Sequence, residues 1–192
     1  VYGRIFYPNG TEAVEEFQVN EFIPNWQEYP KTTVLENGDF VYVWESYGQD
    51  GYGEGVHAKI YSANGSVVLP EFTVNDYIYN HQQLPDVTAL SNGNFFVCWY
   101  SYHGQDGDDA GIFGEIIDED GNTIKSEFQI NSKTKSGQYF QTVGTMNDRT
   151  TIVIAWNSLH ESSNEGQLYA RTLDEDGNFL TDEEIKINST PD

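Results

Sequence analysis

The chain has 192 residues and a formal net charge of −22, because 31 aspartates and glutamates outnumber 9 lysines and arginines. A surface this acidic repels nucleic-acid phosphates and anionic lipid headgroups, so the charge excludes a nucleic-acid-binding protein. No apolar run approaches the ~18 residues that a membrane span needs, so no membrane insertion is expected.

A turn glycine preceded by an apolar strand recurs at a nearly constant spacing along the chain. The glycines are Gly10, Gly65, Gly121 and Gly177, which gives spacings of 55, 56 and 56 residues. A fixed period of this length is the signature of a repeat protein whose units are single supersecondary structures. We predict one repeat domain over residues 1–192, with units at 1–54, 55–110 and 111–166 and a partial unit at 167–192.

The first two strands of each unit are joined by a short turn. Asn-Gly or Asp-Gly stands at this turn, as in Asn64-Gly65, and these dipeptides favour a primed turn in which both central residues have positive φ. The first strand alternates, with Val56, Ala58 and Ile60 on one side, which is typical of a half-exposed strand. The second strand reads EFQVN in the first unit.

The third and fourth strands complete each unit. The fourth is apolar at nearly every position, as in the FVYVW segment that ends at Trp44, so it must be covered on both faces like an interior strand. Trp99 and Trp156 mark the same strand in the next two units. The third strand opens at Tyr29-Pro30, Leu84-Pro85 and Tyr139-Phe140.

Four-stranded antiparallel units with one buried strand, repeated radially, are the blades of a β-propeller. The sequence therefore predicts an all-β, β-propeller-like fold of three full units plus a half unit, with an open linear stack of β-sheets as the alternative. No long stretch places apolar residues at the helical period of about 3.6, so no helix is expected.

The predicted half unit leaves the last segment as a bare sheet edge. This edge consists of Ile185, Lys186, Ile187 and Asn188. Unpaired strand edges invite pairing with another chain. We expect the assembly edge to be completed by another copy of the protein, which would give an oligomer or a fibre.

The wording of the units resembles that of long repeat arrays in very large bacterial surface and secreted proteins, which are often found with calcium-binding toxin-type repeats. The resemblance rests on EFQVN, on a following YP and on NGDFVYVWESYGQDG, and it covers essentially the whole chain. It implies an extracellular, secreted or cell-surface protein with an adhesive, spacer or calcium-dependent role. The third unit departs from the pattern, because residues 160–166 replace its QDG loop.

The loops after the tryptophan strands are the candidate metal sites. They are rich in glycine and carboxylates, and carboxylate oxygens are the ligands that Ca²⁺ prefers. Calcium is the cofactor that these loops would hold; the alternative is that Asp-Gly forms ordinary turns whose acids face water. The candidate ligands are Asp50, Glu54, Asp106, Asp108 and Asp109.

Two further features concern sugars. Asn-x-Ser/Thr sequons at Asn9, Asn64 and Asn188 are candidate glycosylation sites, unless they are coincidental in a chain full of Asn-Gly turns. Aromatic residues near the loop between the second and third strands could stack on sugar rings, which would make surface glycans a ligand. These residues are Trp26, Tyr29, Tyr77, Tyr79 and Tyr139.

A catalytic set is harder to find. The histidines lack metal-ligand spacing, and H-E-x-x-H, nucleophile-elbow and phosphate-loop motifs are absent. Acid pairs suited to glycoside hydrolysis are available, but repeat-equivalent positions carry similar residues, whereas catalysis needs one asymmetric constellation. The sequence therefore favours a non-enzymatic, extracellular structural or adhesive module that assembles with itself, with a carbohydrate-binding propeller lectin as the alternative.

Overall fold

The structure is a computed structural model, and it describes residues 1–159 and 166–188. These residues form fourteen β-strands, and they include no helix long and apolar enough to cross a membrane. The all-β prediction is confirmed. The strands are β1 Tyr2–Phe6, β2 Glu12–Gln18, β3 Gln27–Val34, β4 Phe40–Tyr47, β5 Glu54–Tyr61, β6 Val67–Thr73, β7 His81–Ala89, β8 Phe95–Tyr102, β9 Ala110–Ile117, β10 Thr123–Gln129, β11 Gln138–Thr145, β12 Thr151–Ser158, β13 Gln167–Asp174 and β14 Ile185–Lys186.

The described strands form three four-stranded antiparallel sheets and one two-stranded sheet. Sheet one is β3-β4-β5-β6, sheet two is β7-β8-β9-β10, and sheet three is β11-β12-β13-β14. Strands β1 and β2 form the N-terminal hairpin. Each four-stranded sheet therefore combines the third and fourth strands of one repeat unit with the first and second strands of the next.

Strands β4 and β5 occupy the interior of sheet one and are buried almost throughout. The prediction that the tryptophan strand is covered on both faces is confirmed, since Trp44 and Trp99 have no exposed surface. The prediction of a half-exposed first strand is confirmed for β1, whose residues alternate between exposed and buried, and is wrong for β5 and β9. Because β5 lies between β4 and β6, its residues His57, Lys59 and Tyr61 are buried as well.

The turn between β5 and β6 differs from the predicted primed turn. Gly65 has a φ of +82°, but Asn64 is not in the positive-φ region. The Gly65 N–H donates to the Ser62 carbonyl at 2.9 Å, and the Ser62 N–H donates to the Ser66 carbonyl at 2.9 Å, so the glycine closes a longer hairpin loop. Asn64 contributes its side chain instead, because its Oδ1 accepts the Ser66 N–H at 3.0 Å.

The first strands of the three sheets, β3, β7 and β11, are neighbours in space. Each contains a β-bulge and, within it, a non-glycine residue with positive φ: Tyr29 at +51°, Leu84 at +49° and Phe140 at +55°. Bulges bend a strand and redirect its side chains, and they are common beside functional sites. Because Phe140 is the counterpart of Tyr29 and Leu84, the predicted opening of the third strand at Tyr139-Phe140 is one residue too early in the third unit.

Apolar cores join neighbouring sheets. One core lies between sheets one and two and includes Val43, Ile60 and Trp99. Another lies between sheets two and three and includes Ile112 and Trp156. Neighbouring sheets thus pack face to face, and their first strands β3, β7 and β11 lie side by side. This is the propeller-like arrangement that the repeat predicts.

The N-terminal hairpin, and not the last segment, is the incomplete sheet. Ile185 and Lys186 form β14 and pair with β13, so they complete sheet three. The prediction that the final strands form an unfilled half unit is wrong, because the sheets are offset by two strands from the repeat units. Strand β14 is an outer strand: Ile187 is exposed, and Asn188 Oδ1 accepts the Leu168 N–H at 2.8 Å. Its role as an assembly edge stays a prediction.

Candidate functional site

A cavity of about 390 Å³ lies between sheets two and three. In its wall Tyr100 and Tyr139 meet edge to face with ring centroids 5.5 Å apart. The Tyr139 hydroxyl donates to Asp109 Oδ2 at 2.5 Å, and the Tyr100 hydroxyl donates to Gln83 Oε1 at 2.9 Å. Mostly apolar walls with a few oriented polar groups are typical of small-ligand sites. This aromatic cavity is lined by Gln83, Tyr100, Tyr102, Tyr139, Phe140 and Leu159.

A second cavity, of about 430 Å³, lies among the bulges of β3, β7 and β11 and is called the inner cavity below. It shares Phe140 with the aromatic cavity. Lys31 and Asp86 both line it, with 4.0 Å between Lys31 Nζ and Asp86 Oδ1. Asp86 Oδ2 also accepts the Thr142 hydroxyl and the Val143 N–H, each at 3.0 Å. Asp86 therefore ties sheet two to sheet three at the floor of this inner cavity.

Two glutamates occupy directly opposed positions on adjacent strands of sheet one. Glu28 on β3 lies directly opposite Glu45 on β4. Residues paired in this way have Cβ atoms about 4.5–5.5 Å apart and present their side chains on the same face. Glu28 and Glu45 are called the acid pair below.

An aromatic pair lies beyond the acid pair on the same face of sheet one. The Tyr47 N–H donates to the Trp26 carbonyl at 3.0 Å, which continues the ladder two residues past Glu28 and Glu45. Side chains two residues apart on a strand share a face. The Trp26 and Tyr47 rings have centroids 5.5 Å apart, and these two residues are called the ring pair below.

The members of the acid pair differ in environment. Glu28 is exposed, whereas Glu45 is only 5% exposed, and its Oε2 accepts the Leu84 N–H at 2.9 Å. The pKa of Glu45 is raised to about 7, mainly by burial; the Leu84 hydrogen bond opposes this shift, and the charges of Glu54 and Glu28 contribute to it. A carboxyl that keeps its proton near neutral pH beside an exposed carboxylate has the properties of a general acid with its partner.

Glu45 adjoins the inner cavity. Leu84, which donates its N–H to Glu45, lines the inner cavity. Burial raises the pKa of Tyr100, in the aromatic cavity, to about 12, and the negative charges of Glu45 and Glu54 contribute to that shift. Glu54 contacts His81 Nδ1 across sheets one and two. Glu45 therefore lies beside the inner cavity, which shares Phe140 with the aromatic cavity.

The acid pair has no counterpart in the other two sheets, and it was not predicted from the sequence. The residues at the same register in the other sheets are Gln83 with Tyr100 and Tyr139 with Asn157. Repeat-equivalent positions thus differ where the site lies, contrary to the argument used against an enzyme. The available signal was a pair of acids where the other units have neutral residues, but only the strand register shows that the two positions face each other.

The five candidate calcium ligands have separate partners within the protein. Asp50 accepts the Tyr52 N–H at 3.0 Å, Glu54 contacts His81, Asp106 accepts the Asp108 N–H at 3.1 Å, Asp108 accepts the Ser136 N–H at 2.8 Å, and Asp109 accepts the Tyr139 hydroxyl. In the described part of the chain no group of three or more His, Cys, Asp or Glu residues is arranged to hold a metal ion. The loop at residues 160–165 lies outside the described residues. Calcium at the other two loops stays a prediction.

The sequons occupy different environments. Asn9 and Asn64 are at exposed turn tips, where each accepts an N–H two residues later. Asn188 binds the Leu168 N–H, and the two residues after it lie outside the described ranges. Glycosylation at these asparagines stays a prediction.

The aromatic residues singled out in the sequence fall into groups. Trp26 belongs to the ring pair, Tyr139 to the aromatic cavity and Tyr29 to the inner cavity. Tyr77 and Tyr79 contact each other, with centroids 5.6 Å apart. All five therefore lie in the two cavities or in contact with an exposed ring.

The chain matches no protein-family model, and no match was found among curated proteins. Its fold is similar to that of an α-L-arabinofuranosidase from Lactobacillus brevis, with a TM-score of 0.63, 13% identity, and coverage of 96% of this chain and 65% of that one. It is also similar to an N-acetylgalactosamine deacetylase from F. plautii in complex with blood group B trisaccharide (TM-score 0.54, 12% identity, coverage 82% and 51%). An endo-arabinase from Bacteroides thetaiotaomicron gives a TM-score of 0.52 at 12% identity, with coverage of 84% and 62%.

At such low identity these likenesses show the fold, and they confirm the propeller-like all-β class. The chain spans less than two thirds of the length of each of these structures. All three are named as enzymes that act on carbohydrates. This finding contradicts two expectations from the sequence, namely a non-catalytic structural or adhesive module and the absence of enzymatic activity. Association with other copies of the protein stays a prediction.

Proposed function

We propose that this protein is a carbohydrate-active, propeller-like domain that binds a glycan beside the acid pair and cleaves a glycosidic bond. The observation that carries the proposal is the juxtaposition of two unequal carboxyl groups, Glu28 and Glu45, beside the inner cavity, which is lined by Leu84, the hydrogen-bond donor to Glu45, and by the rings of Tyr29 and Phe140. Aromatic rings stack on the apolar faces of sugars, and paired carboxyls are the usual catalytic groups of glycoside hydrolases. The fold's likeness to carbohydrate-active enzymes supports the same assignment.

The acid pair divides the chemistry between its members. Glu45, which keeps its proton near neutral pH, donates that proton to the glycosidic oxygen as the bond to the anomeric carbon breaks. Glu28, which is exposed, attacks the anomeric carbon as a carboxylate and forms an ester. A water molecule, deprotonated by Glu45, then hydrolyses this ester. Because Glu28 acts as the nucleophile in this assignment and the anomeric carbon is displaced twice, we expect retention of anomeric configuration.

Hydrolysis of chromogenic aryl glycosides, beginning with the α-L-arabinofuranoside, tests this assignment. Glu45→Gln should lower kcat/KM about 10²–10⁴-fold, because it removes the transferable proton while keeping the size of the side chain and its bond from Leu84. Glu28→Gln should lower the rate similarly. Affinity for sugar, measured by calorimetry, should change little in either variant.

The matched control is Glu15→Gln on the exposed face of β2, which should leave the rate unchanged. Wild-type protein that binds sugars but hydrolyses none across a broad panel would remove the catalytic roles and leave a lectin, a candidate that the density of exposed rings favours. Protein that neither binds nor cleaves sugars would defeat the whole proposal. We place this activity outside the cell, in line with the resemblance of the repeats to secreted arrays.

A further inference from the structure

Both members of the ring pair are exposed to solvent. Trp26 is 66% exposed and Tyr47 is 38% exposed, and the ring planes are tilted by 44°. The exposed parts of these rings gain nothing from burial within this chain, so the pair presents an apolar surface to solvent. Two residues along a strand correspond to about 7 Å, which places this surface about one sugar unit from the acid pair.

A second group of exposed rings continues from the ring pair. Tyr52, in the loop between β4 and β5, is 50% exposed, and Tyr79, in the loop between β6 and β7, is 53% exposed. Their ring centroids are 5.0 Å apart. The two loops are joined by a hydrogen bond from the Gly53 N–H to the Asn80 carbonyl at 3.1 Å. The exposed rings therefore stand on loops at the same end of sheets one and two as the acid pair.

The charge of the region restricts what can lie on these rings. Glu28, Glu45 and Glu54 are all acidic, and the whole chain carries a net charge of −22. Lys31 is the one cation that lines the inner cavity in the described structure, and it lies 4.0 Å from Asp86. A uronate or sulfated glycan would meet repulsion here with no free cation to offset it.

We propose that the ligand is a neutral polysaccharide, and that Trp26 and Tyr47 form an outer subsite on which the sugar next to the cleaved unit stacks. This inference rests on the proposed function and extends it to the class of substrate. It assigns to the ring pair a role in holding long chains, distinct from the chemistry at Glu28 and Glu45.

A chain-length series tests the outer subsite. The neutral monosaccharides arabinose and xylose and their six-unit oligosaccharides are titrated against wild type and against Trp26→Ala. The variant should bind the six-unit sugars about tenfold more weakly and the monosaccharides unchanged, because a single sugar unit at the acid pair does not reach Trp26. Trp26→Phe should restore most of the affinity. Tyr7→Ala is the matched control, because Tyr7 is 58% exposed and lies at the opposite end of the strands, in the turn between β1 and β2.

The outcomes separate this inference from the proposed function. Equal affinity of Trp26→Ala and wild type for the long sugar, or equal losses for both lengths, would overturn the outer subsite while leaving sugar binding intact. Tighter binding of oligogalacturonate than of the neutral six-unit sugars in 0.15 M salt would overturn the neutral class. Absence of binding to every sugar would overturn the proposed function itself. Thermal melting of each variant verifies that these exposed substitutions leave the fold unchanged.

Discussion

Glu45 and Glu115 are buried on interior strands of two different sheets. Glu115 is 3% exposed and accepts the Thr123 hydroxyl at 2.8 Å, and its Oε2 has no hydrogen-bond partner. Burial raises the pKa of both carboxyls from 4.5 to about 7. Below pH 4.5 each group is protonated in the folded and unfolded states alike. Above about pH 7 the folded state holds a buried charge, so these groups reduce stability as pH rises through that window.

Glu115→Gln should therefore stabilise the protein at pH 8 and not at pH 4.5. The shift corresponds to roughly 3 kcal/mol, so we expect the free energy of unfolding at pH 8 to rise by about 2 kcal/mol once relaxation is allowed for. Urea unfolding at both pH values measures it. The readout is the difference from wild type, because repulsion among the other acids also weakens the fold at high pH. A gain of the same size in the exposed variant Glu15→Gln would show that general charge, and not burial, is responsible.

At the scale of the element, the asparagine that ends each EFQVN-type segment forms hydrogen bonds that hold the first strand of the same repeat unit. Asn131 Oδ1 accepts the Ile112 N–H at 2.7 Å, and its Nδ2 donates to the Lys133 carbonyl at 3.0 Å. Asn75 makes the equivalent bonds in sheet one. Asn131→Ala should lower the free energy of unfolding by about 2–3 kcal/mol, because it leaves the buried Ile112 N–H without an acceptor.

Equilibrium urea unfolding measures this loss. The control is Asn64→Ala in the exposed β5–β6 turn, where water replaces the lost bonds and the cost should stay below about 1 kcal/mol. Equal costs for the two variants would contradict the assigned role of Asn131. Asn131→Asp should be intermediate at acidic pH, since its protonated carboxyl keeps the acceptor and one O–H donor, whereas the amide donates to both Lys133 and Gln138.

Periodicity predicts the strands well and their partners poorly. The apolar run before Trp44 identifies an interior strand because burial on both faces leaves a direct record in the sequence. The offset between repeat units and sheets leaves no such record, since a strand can pair with either neighbour in the chain. For the same reason β5 looked half-exposed: Lys59 is polar, yet it is covered and forms an ion pair with Glu21 at 2.8 Å. The acid pair was out of reach because it depends on the register of Glu28 against Glu45.

At the scale of the whole molecule, the N-terminal hairpin is the part with the least support. Two-stranded sheets are marginal alone, and this one depends on a small core that Val19 forms with Tyr42, Trp44 and Tyr61. Phe17 packs on that core, with its ring centroid 4.9 Å from that of Tyr61. Sheets one and two share a larger core. Trp44 immediately precedes Glu45, so the hairpin also buttresses the strand that carries the proposed acid.

Hydrogen exchange should therefore be faster in β1 and β2 than in β8 and β9, which are interior strands of sheet two. Phe17→Ala should accelerate exchange in the hairpin a further tenfold or more, because it removes the ring that holds the hairpin to sheet one, and should leave β8 and β9 nearly unchanged. Exchange followed by mass spectrometry of proteolytic fragments resolves these segments. Phe6→Ala is the control, since Phe6 lies on β1 but is 54% exposed. Equal protection of the hairpin and of sheet two in wild type would contradict this prediction and would mean that the chain opens as one cooperative unit. The proposed site could then not unfold locally without the rest of the fold.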